Sequence, residues 1–531
     1  MKLMSDALGH KRLRAPADDG SKLIAPPLDA IGETIERNAA ETRAYDYDVQ
    51  GRSLARLARE ARAQLVETAW CYTQSYRDVP RPEAPSRLFL AGHQPQLFHP
   101  GVWFKNFVLS KIAEQHGGVA INLAIDSDTI KSAALRVPSG NVESPVVETV
   151  PYDRPSAEIP YESREIVDRD CLASFGKRAA VNIRPLVSDP LLCQFWPLVV
   201  ERAKHVNNLG ECIAQARHQQ EGLWGATTLE LPQSQVCNLP AFHWFACHLF
   251  ARLPQLWDVY NSSVAEYRQA NHVRSSAHPV PDLALEDGWL EAPFWIWDTG
   301  NPHRRRLFVR QRGEEILLSD RAGFERALSL SPEGDAARAA EQLAELSAQG
   351  VRLRTRALIT TLFARLFLSD LFLHGVGGAK YDQVTDAIIE RFFGLKPPQY
   401  MTLTATLRLP IKRAEVTADD ARRVDRQLRE LAYHPERHLT ADGDPRWQAI
   451  VAQKRRWIET VATRENARQR GDQIRSANTA LQPLLADAWQ QARDERERIT
   501  QALRVKAILA SREYAFCLYP AEAIKRLMDL G

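Results

Sequence analysis

A strand, a loop, a helix and a second strand follow one another between residues 87 and 128, and this order limits the folds open to the chain. An apolar run over 87–91 predicts a buried strand, apolar positions at helical spacing predict a helix over 102–116, and a second apolar run over 119–125 predicts another strand. Strands that are joined through a helix pair in parallel within one sheet. The pattern therefore predicts an α/β core with a parallel sheet.

The loop between this first strand and the helix carries candidate functional residues. Ligands of open α/β sheets bind outside the carboxyl ends of the strands, so the loop 92–99 and two aspartates after the second strand, Asp126 and Asp128, are expected on one rim. His93 and His99 could act as general acid or base, because the ordinary pKa of histidine lies near neutrality. The loop is the first candidate site.

A second group of polar residues lies in the stretch 354–410. We predict an apolar helix that is headed by Arg354 and Arg356 and ends near residue 373. A turn with His374 and three glycines follows, and glycines permit left-handed dihedral angles or the close approach of a ligand. The next helix is predicted to open with Lys380, and free N–H groups at a helix start suit an anion. The glycines and the other polar residues of this segment are Gly375, Gly377, Gly378, Tyr381, Asp382 and Asp386.

The composition is that of an ordinary globular chain, with 44% hydrophobic and 25% charged residues among 531. A net charge of +3 gives no support for nucleic acid or an anionic membrane as a partner. The seven cysteines form no CxxC pair, which indicates reduced thiols, and the N-terminus lacks the apolar segment of a signal peptide. No window of roughly 18 residues is free of charge. We therefore predict a soluble cytoplasmic protein with a small-molecule substrate.

Shifts in composition predict three parts. An N-terminal helical segment over 1–85, beginning with a loose arm over 1–28, packs on a core over 86–410, which contains inserted connecting segments over about 131–350. A helical arm and tail over 411–531 follows, in which apolar positions recur at helical spacing among many charges. This pattern predicts a long antiparallel arm of coiled-coil character that carries a homodimer interface.

Two further clusters have more than one interpretation. His243 and Cys247 lie one helical turn apart, but the aromatic surroundings and the lack of a second ligand pair favour a buried helix over a metal site. The arginines at 304–306 either bind phosphate or carboxylate or lie at a solvated hairpin edge, which the pattern favours. Phosphate-loop, dinucleotide, zinc-protease and nucleophile-elbow motifs are missing from the sequence. We predict no metal site.

Several segments resemble a known family. Residues 92–98 (GHQPQLF), followed by Lys105 in the next helix, look like the GQQPGLF loop and following lysine of the bacillithiol synthase family, whose enzyme adds cysteine to glucosaminyl-malate. Residues 375–381 (GVGGAKY) are similar to that family's GPGEIAY segment, and residues 512–514 (REY) to its C-terminal motif containing Glu and Arg. The order of the predicted parts also agrees with that of the family.

The resemblance implies a Rossmann-like core related to the HxGH nucleotidyltransferases, with inserted connecting segments and a C-terminal helical coiled coil that makes dimers. Three departures imply a different substrate. His93 stands where the family has Gln, Gly378 stands where it has the Glu of GPGE, and no His accompanies Asp126 and Asp128. The implied activity is a related condensation of a small polar, sugar- or acid-linked substrate with an amine or a thiol such as cysteine.

Two other functions stay open. Gly92, Pro95, His99 and Gly101 loosely match the G…P…HxGH loop that holds ATP phosphates, although Val102 replaces the second histidine of that motif. This match favours a nucleotidyltransferase-like enzyme that binds a nucleotide. The other possible function is that of a non-catalytic binding or scaffold protein that uses the helical arm for assembly. The sequence fixes no cofactor, and ADP or ATP bound between the core and the helical arm is the candidate.

We expect one set of residues to carry the chemistry and another to hold the substrate. Lys105 and the loop backbone could hold an anion, while Asp126 or Asp128 could orient an amine or a hydroxyl. The catalytic candidates are His93, His99, Asp126, Asp128, His374, Lys380, Tyr381 and Asp382. The candidates for substrate binding are Gly92, Gln94, Pro95, Phe98, Lys105, Asn106, Arg354, Arg356, Gly375, Gly377, Gly378 and Asp386.

Overall fold

In a computed structural model of the chain, the described residues are 13–83, 87–439 and 445–530, apart from the side chains of residues 445 and 446. They form two compact units. The first unit comprises the described residues within 1–137, 148–408 and 512–531, and the second comprises those within 138–147 and 409–511.

The chain is a mixture of strands and helices, as predicted for an α/β protein. The strands are β1 (Lys22–Ala25), β2 (Asp48–Val49), β3 (Arg52–Ser53), β4 (Leu88–His93), β5 (Val119–Ala124), β6 (Ala134–Gly140), β7 (Pro145–Pro151), β8 (Leu229–Pro232), β9 (Leu285–Glu286), β10 (Trp289–Asp298), β11 (Asn301–Arg312), β12 (Glu315–Ser319), β13 (Glu325–Ser329), β14 (Val351–Thr355), β15 (Leu371–Gly375) and β16 (Met401–Ala405). The helices are α1 (Ile31–Arg43), α2 (Leu54–Gln74), α3 (Pro100–His116), α4 (Arg169–Ile183), α5 (Leu192–Arg202), α6 (Leu209–Leu223), α7 (Gln233–Val236), α8 (Pro240–Ala251), α9 (Leu253–Ala270), α10 (Ala337–Ala348), α11 (Ala357–Phe363), α12 (Val376–Ile388), α13 (Ala418–Tyr433), α14 (Pro445–Glu459), α15 (Ala467–Leu481), α16 (Ala486–Leu509) and α17 (Ala521–Met528).

A six-stranded sheet in the order β1-β16-β15-β4-β5-β8 forms the centre of the first unit. The predicted βαβ unit is confirmed, because β4 and β5 pair in parallel and α3 connects them. Strands β16, β15 and β8 extend the parallel part, and their apolar residues are buried, as expected for strands covered on both faces. The sheet is nevertheless mixed, because β1 pairs with β16 in antiparallel orientation. Residues 22–25 therefore belong to the sheet and not to a loose arm.

A second, antiparallel sheet belongs to the same unit and has the order β13-β12-β11-β10-β14, with β9 paired to β10. Its long β10–β11 hairpin carries the arginines at 304–306, for which the sequence favoured a hairpin. One face of this sheet contributes Phe294, Leu307 and Val309 to the large apolar core. These strands occupy the segment that was expected to be inserted within the core.

The second unit consists mainly of the helices α13 to α16. Thr417 and Asp420 form the reciprocal capping box at the start of α13, in which each side chain bonds the backbone N–H of the other residue. Leu431, Leu485 and Ala492 form a small buried cluster between these helices. A coiled coil and a homodimer stay predictions. No helix in the described part of the chain is long and apolar enough to cross a membrane.

The stretch 354–378 folds differently from the prediction. Arg354 lies in β14, and the helix α11 begins only after Arg356, which is its N-cap residue. The apolar run beyond it divides into α11, a π-helical segment (Ala364–Leu368) and strand β15. The predicted glycine turn between two helices is also wrong, and of the two uses suggested for its glycines, left-handed dihedral angles are not needed. Gly375 ends β15 with φ −74° and ψ 166°, and the next residue already begins α12, so no residue at this junction needs a positive φ.

Candidate functional site

A cavity of about 380 Å³ lies at the carboxyl ends of the parallel strands. It brings together the two segments that the sequence singled out, the loop 92–99 and the junction 374–382. The two segments are far apart in the sequence, and the pairing of β15 with β4 brings them together. The lining residues that bear on chemistry are Gly92, His93, Gln94, His99, Lys105, Thr361, His374, Gly375, Gly377, Gly378, Tyr381, Asp382, Thr404 and Arg512.

His374 and Asp382 form a buried pair in this cavity. The ring atom Nε2 of His374 lies 3.0 Å from Oδ2 of Asp382. The Arg365 guanidinium donates to the same oxygen at 2.6 Å, and the Thr361 hydroxyl donates to Oδ1 at 2.6 Å. Burial alone would raise the pKa of Asp382, but Arg365 and His374 hold it well below its usual range. An ionised carboxylate only accepts hydrogen bonds, so Nε2 carries the hydrogen and Nδ1 is the basic atom of His374.

Local backbone geometry brings Arg365 to this pair. Arg365 lies in the π-helical segment after α11, an arrangement that is frequent at functional sites. Its second nitrogen donates to Asp386 at 2.6 Å and to the carbonyl of Pro398. Sequence reasoning missed Arg365 and Thr361. The signal in the sequence for Arg365 was a charge within an apolar segment, but this charge only interrupted the apolar pattern and did not indicate a functional role.

Gly378 makes room for the imidazole of His374. A Cβ atom at residue 378 would lie 2.7 Å from Nδ1 of His374, whereas a Cβ at residue 377 would meet only the Tyr381 hydroxyl, at 3.6 Å. The His374 ring is also confined by Phe372 and Tyr400, with ring centroids 4.6 and 4.9 Å away. Residue 378 is thus a glycine because a larger side chain would collide with the His374 ring, and not because its backbone dihedral angles require one.

This crowding predicts a large difference between two neighbouring glycines. Gly378→Ala should lower the free energy of unfolding by roughly 1–3 kcal/mol, because the confined ring of His374 has to move off Asp382. Gly377→Ala is the control and should be neutral or stabilising by up to about 1 kcal/mol. Urea denaturation of both variants measures the difference. Equal stabilities would show that the His374 ring is not held in place.

Lys105 is a buried amine on the loop side of the cavity. It is 3% exposed, and its Nζ donates to the carbonyl oxygen of Gly92 at 2.6 Å. Burial, with the Arg217 guanidinium nearby, lowers the pKa of Lys105 to about 7. Burial and the charge of Lys105 also lower the pKa of His93 to about 3, so the His93 imidazole is neutral. Its ring packs edge-on against Phe98 at 5.0 Å.

His99 has a structural role as well as a place in the cavity wall. It is the N-cap of α3, and its Nδ1 accepts from the Gly101 N–H at 3.1 Å, while Nε2 lies 3.9 Å from Glu513. Burial lowers the pKa of His99 to about 4, although Glu513 opposes this. Arg512 donates to the hydroxyls of Thr404 and Thr406 at 3.2 Å each. Arg512 was noticed only as part of a C-terminal motif, and its place in the cavity was not predicted.

The two aspartates after β5 lie elsewhere. Ile125 faces the cavity of His93, whereas Asp126 lines a second cavity of about 490 Å³. Ser234 donates to Asp126 through its N–H and hydroxyl, and burial, with Glu162 nearby, raises the pKa of Asp126 to about 7. Asp128 accepts from Gln94 at 3.0 Å and from Arg304 at 3.1 Å, in a third cavity. The two aspartates lie beside the loop 92–99 as expected, Asp128 against Gln94 and Asp126 in the second cavity with Pro95, but neither lines the cavity of His93.

Other predicted residues also lie outside the cavity. Arg354 and Arg356 are buried in ion pairs with Glu162 and Glu291 respectively, and Asn106 donates to buried Glu221. The remaining residues lie close to the cavity without lining it. Pro95 lines the second cavity, Phe98 packs against His93, Asp386 pairs with Arg365, and Lys380 is exposed on α12.

The described residues contain no group of three or more His, Cys, Asp or Glu side chains that could hold a metal ion. His243 and Cys247 are buried in the aromatic helix α8, as the sequence favoured. No protein-family model matches the chain, and the curated proteins include no sequence that matches it. The chemistry of the cavity therefore rests on the geometry described above.

Proposed function

We propose that the protein is an enzyme of the bacillithiol-synthase-like type that joins a small polar, sugar- or acid-linked substrate to an amine or a thiol such as cysteine. The observation that supports it is the buried His374–Asp382 pair, which shares one cavity with Lys105. An imidazole fixed by an ionised carboxylate is suited to take a proton from an attacking thiol or amine.

In this proposal, His374 is the general base. Its Nδ1 accepts the proton of the incoming nucleophile, and the charge that develops on the ring is stabilised by Asp382 at 3.0 Å. Arg365 keeps Asp382 ionised and fixed in position, so Asp382 orients His374 without taking up the proton itself. Arg365 is thus a positioning residue.

The start of α12, next to His374 in the chain, suits an anionic group on the substrate. The first N–H groups of α12 are not used by the helix itself, and they begin at the cavity wall directly after Gly375. Arg512 adds a guanidinium to the same wall. A Cβ atom at residue 375 would meet no other atom within 4 Å, and its φ of −74° is ordinary for any residue. Gly375 is the N-cap of α12, where glycine is preferred over larger apolar residues, and it also leaves space in the cavity beside the start of that helix.

The finer description of the fold belongs to the same proposal. The parallel order of β16, β15, β4, β5 and β8 supports a Rossmann-like core related to the HxGH nucleotidyltransferases. The amphipathic helices of the second unit support a homodimerising coiled coil. ADP or ATP is the candidate nucleotide ligand, and the test below includes both.

A thermal-shift panel with cysteine, malate, citrate, amino sugars, ADP and ATP tests the proposal. A ligand that binds the native state raises the melting temperature by mass action. We expect a response to a sugar acid, a carboxylate or a thiol in the wild type and its loss in Gly375→Leu, whose added side chain fills cavity space. Gly375→Leu without ligand should lose no more than about 1 kcal/mol of stability, because a Cβ atom at residue 375 meets no other atom within 4 Å and the main cost is the loss of an N-cap glycine.

The panel also separates the alternatives. A response to nucleotides alone would favour the nucleotidyltransferase-like function. A response that persists unchanged in Gly375→Leu would place the ligand outside this cavity. No response to any compound would favour the non-catalytic scaffold.

A further inference from the structure

Lys105 is a buried cation without a carboxylate partner in the described part of the chain. Its Nζ has one polar contact, the carbonyl oxygen of Gly92 at 2.6 Å. The other fully buried cations near the cavity have acids. Arg217 pairs with Glu221 and Glu230, and Arg365 pairs with Asp382 and Asp386. An ammonium that is 3% exposed and has no counter-charge is strongly disfavoured, so folding favours the neutral amine at residue 105.

The position of this amine gives it a chemical use. Lys105 lines the same cavity as His374, and the Arg217 guanidinium, which is also positive, opposes protonation of Lys105. A desolvated lysine beside another cation is a typical nucleophile toward carbonyl compounds. The proposed condensation needs an electrophile, and so far no residue of the cavity has been assigned to generate one.

We propose that Lys105 forms an imine with a small carbonyl substrate, an aldehyde or a 2-oxo acid, bound in this cavity. This inference rests on the proposed function, because it names the electrophile of that condensation. The Nζ lone pair forms a C–N bond to the carbonyl carbon, and the C=O π pair moves to oxygen, which takes a proton. This first proton comes from the nitrogen. The hydroxyl group takes a second proton, the C–O bond breaks and water leaves, and nitrogen gives up its remaining proton in exchange to leave a neutral imine.

The other residues of the cavity complete the sequence of steps. Imidazole Nδ1 of His374 is the acid–base group for the dehydration. Arg512 and the start of α12 hold the carboxylate of the carbonyl substrate. An incoming primary amine then adds to the imine carbon, its new C=N bond replaces the bond to Lys105, and the two protons that it loses go to the lysine nitrogen, which leaves as a neutral amine. No oxidant, reductant or activated co-substrate is consumed.

The test is reductive trapping on the full chain with glyoxylate, a small anionic aldehyde, and sodium cyanoborohydride at pH 7.5, followed by peptide mass spectrometry. We expect a reduced adduct at Lys105 to form at least tenfold faster than at Lys380 on the exposed face of α12, because exposed lysines are almost wholly protonated at that pH. The variant Lys105→Met should lose this adduct, while Lys111→Met, on the same helix α3, should keep it.

Labelling of exposed lysines with Lys105 unmodified in the wild type would overturn the inference without the need for any variant. Failure of the imine at Lys105 and failure of the proposed function give different results. An adduct at Lys105 without any condensation to an amine or thiol would refute the proposed function alone. Condensation at an undiminished rate in Lys105→Met would refute the imine alone.

Discussion

Replacing Arg365 by Met is expected to lower the free energy of unfolding by about 3–5 kcal/mol, because a buried acid loses its counter-charge. Asp382 is 1% exposed and would keep only His374 and Thr361 as partners, and Asp386 would lose its guanidinium as well. Urea denaturation followed by tryptophan fluorescence measures the loss. The double variant with Asp382→Asn should recover part of it, since the uncompensated charge of Asp382 is then removed.

Arg391→Met is a matched control for this change. Arg391 also lies in a π-helical segment (Ile389–Phe393), but its partner Glu266 is half-exposed to solvent. Water screens such pairs, so this variant should lose less than about 1 kcal/mol. If the two arginine variants were equally stable, Arg365 would have no special part in holding Asp382 ionised.

Replacing Lys105 by Met is expected to change the stability with a sign that depends on pH. The pKa of Lys105 falls from an ordinary 10.5 to about 7 on folding. Between pH 7 and pH 10.5 the unfolded chain binds a proton that the folded chain does not. Burial of Lys105 therefore costs no stability above about pH 10.5, and the free energy of unfolding falls as the pH is lowered from there to 7. At pH 6 the wild type therefore carries the full penalty, a few kcal/mol, and the variant does not.

Above pH 10 the same variant should be less stable than the wild type. The penalty has vanished there, and the Gly92 carbonyl has lost its donor at a cost of about 1–3 kcal/mol. Melting temperatures of the wild type, Lys105→Met and Lys111→Met between pH 6 and 10.5 measure the crossover. Lys111 is half-buried on the same helix, and Lys111→Met should differ from the wild type by less than about 0.5 kcal/mol. A constant difference for Lys105→Met would mean that its pKa is not perturbed.

The parts of the fold that depend on local pattern could be predicted from the sequence. The apolar runs at 87–91 and 119–125 flank a segment with apolar residues at helical spacing, and these became β4, β5 and α3. The rule that ligands bind at the carboxyl ends of parallel strands placed the loop of His93 at this rim, and His93 lines the cavity. The rule was not applied to His374, because the sequence predicted a turn between helices there and not the end of a strand. That rule predicts at which edge of the sheet a ligand binds, but it does not predict the face of the sheet on which each side chain lies.

The failures came from information that a single sequence does not contain. Side chains alternate after β5, so Ile125 and Asp126 face different cavities although they are neighbours in the chain. Arg354 looked like the head of a helix because its partner Glu162 lies far away in the sequence. The glycines at 377 and 378 suggested a turn, but both lie in the first turn of helix α12. The nearby ring of His374 is what explains a glycine at residue 378.

The most direct test of the central claim is product formation. The purified chain would be incubated with cysteine and with the compound that raises its melting temperature most, and the products analysed by mass spectrometry. We expect a compound with the mass of both substrates less one water, formed by the wild type and reduced by roughly 10²–10⁴-fold in His374→Ala, because the general base is then missing. Two substrates that bind and are recovered unchanged, or a product formed equally well by His374→Ala, would contradict the account.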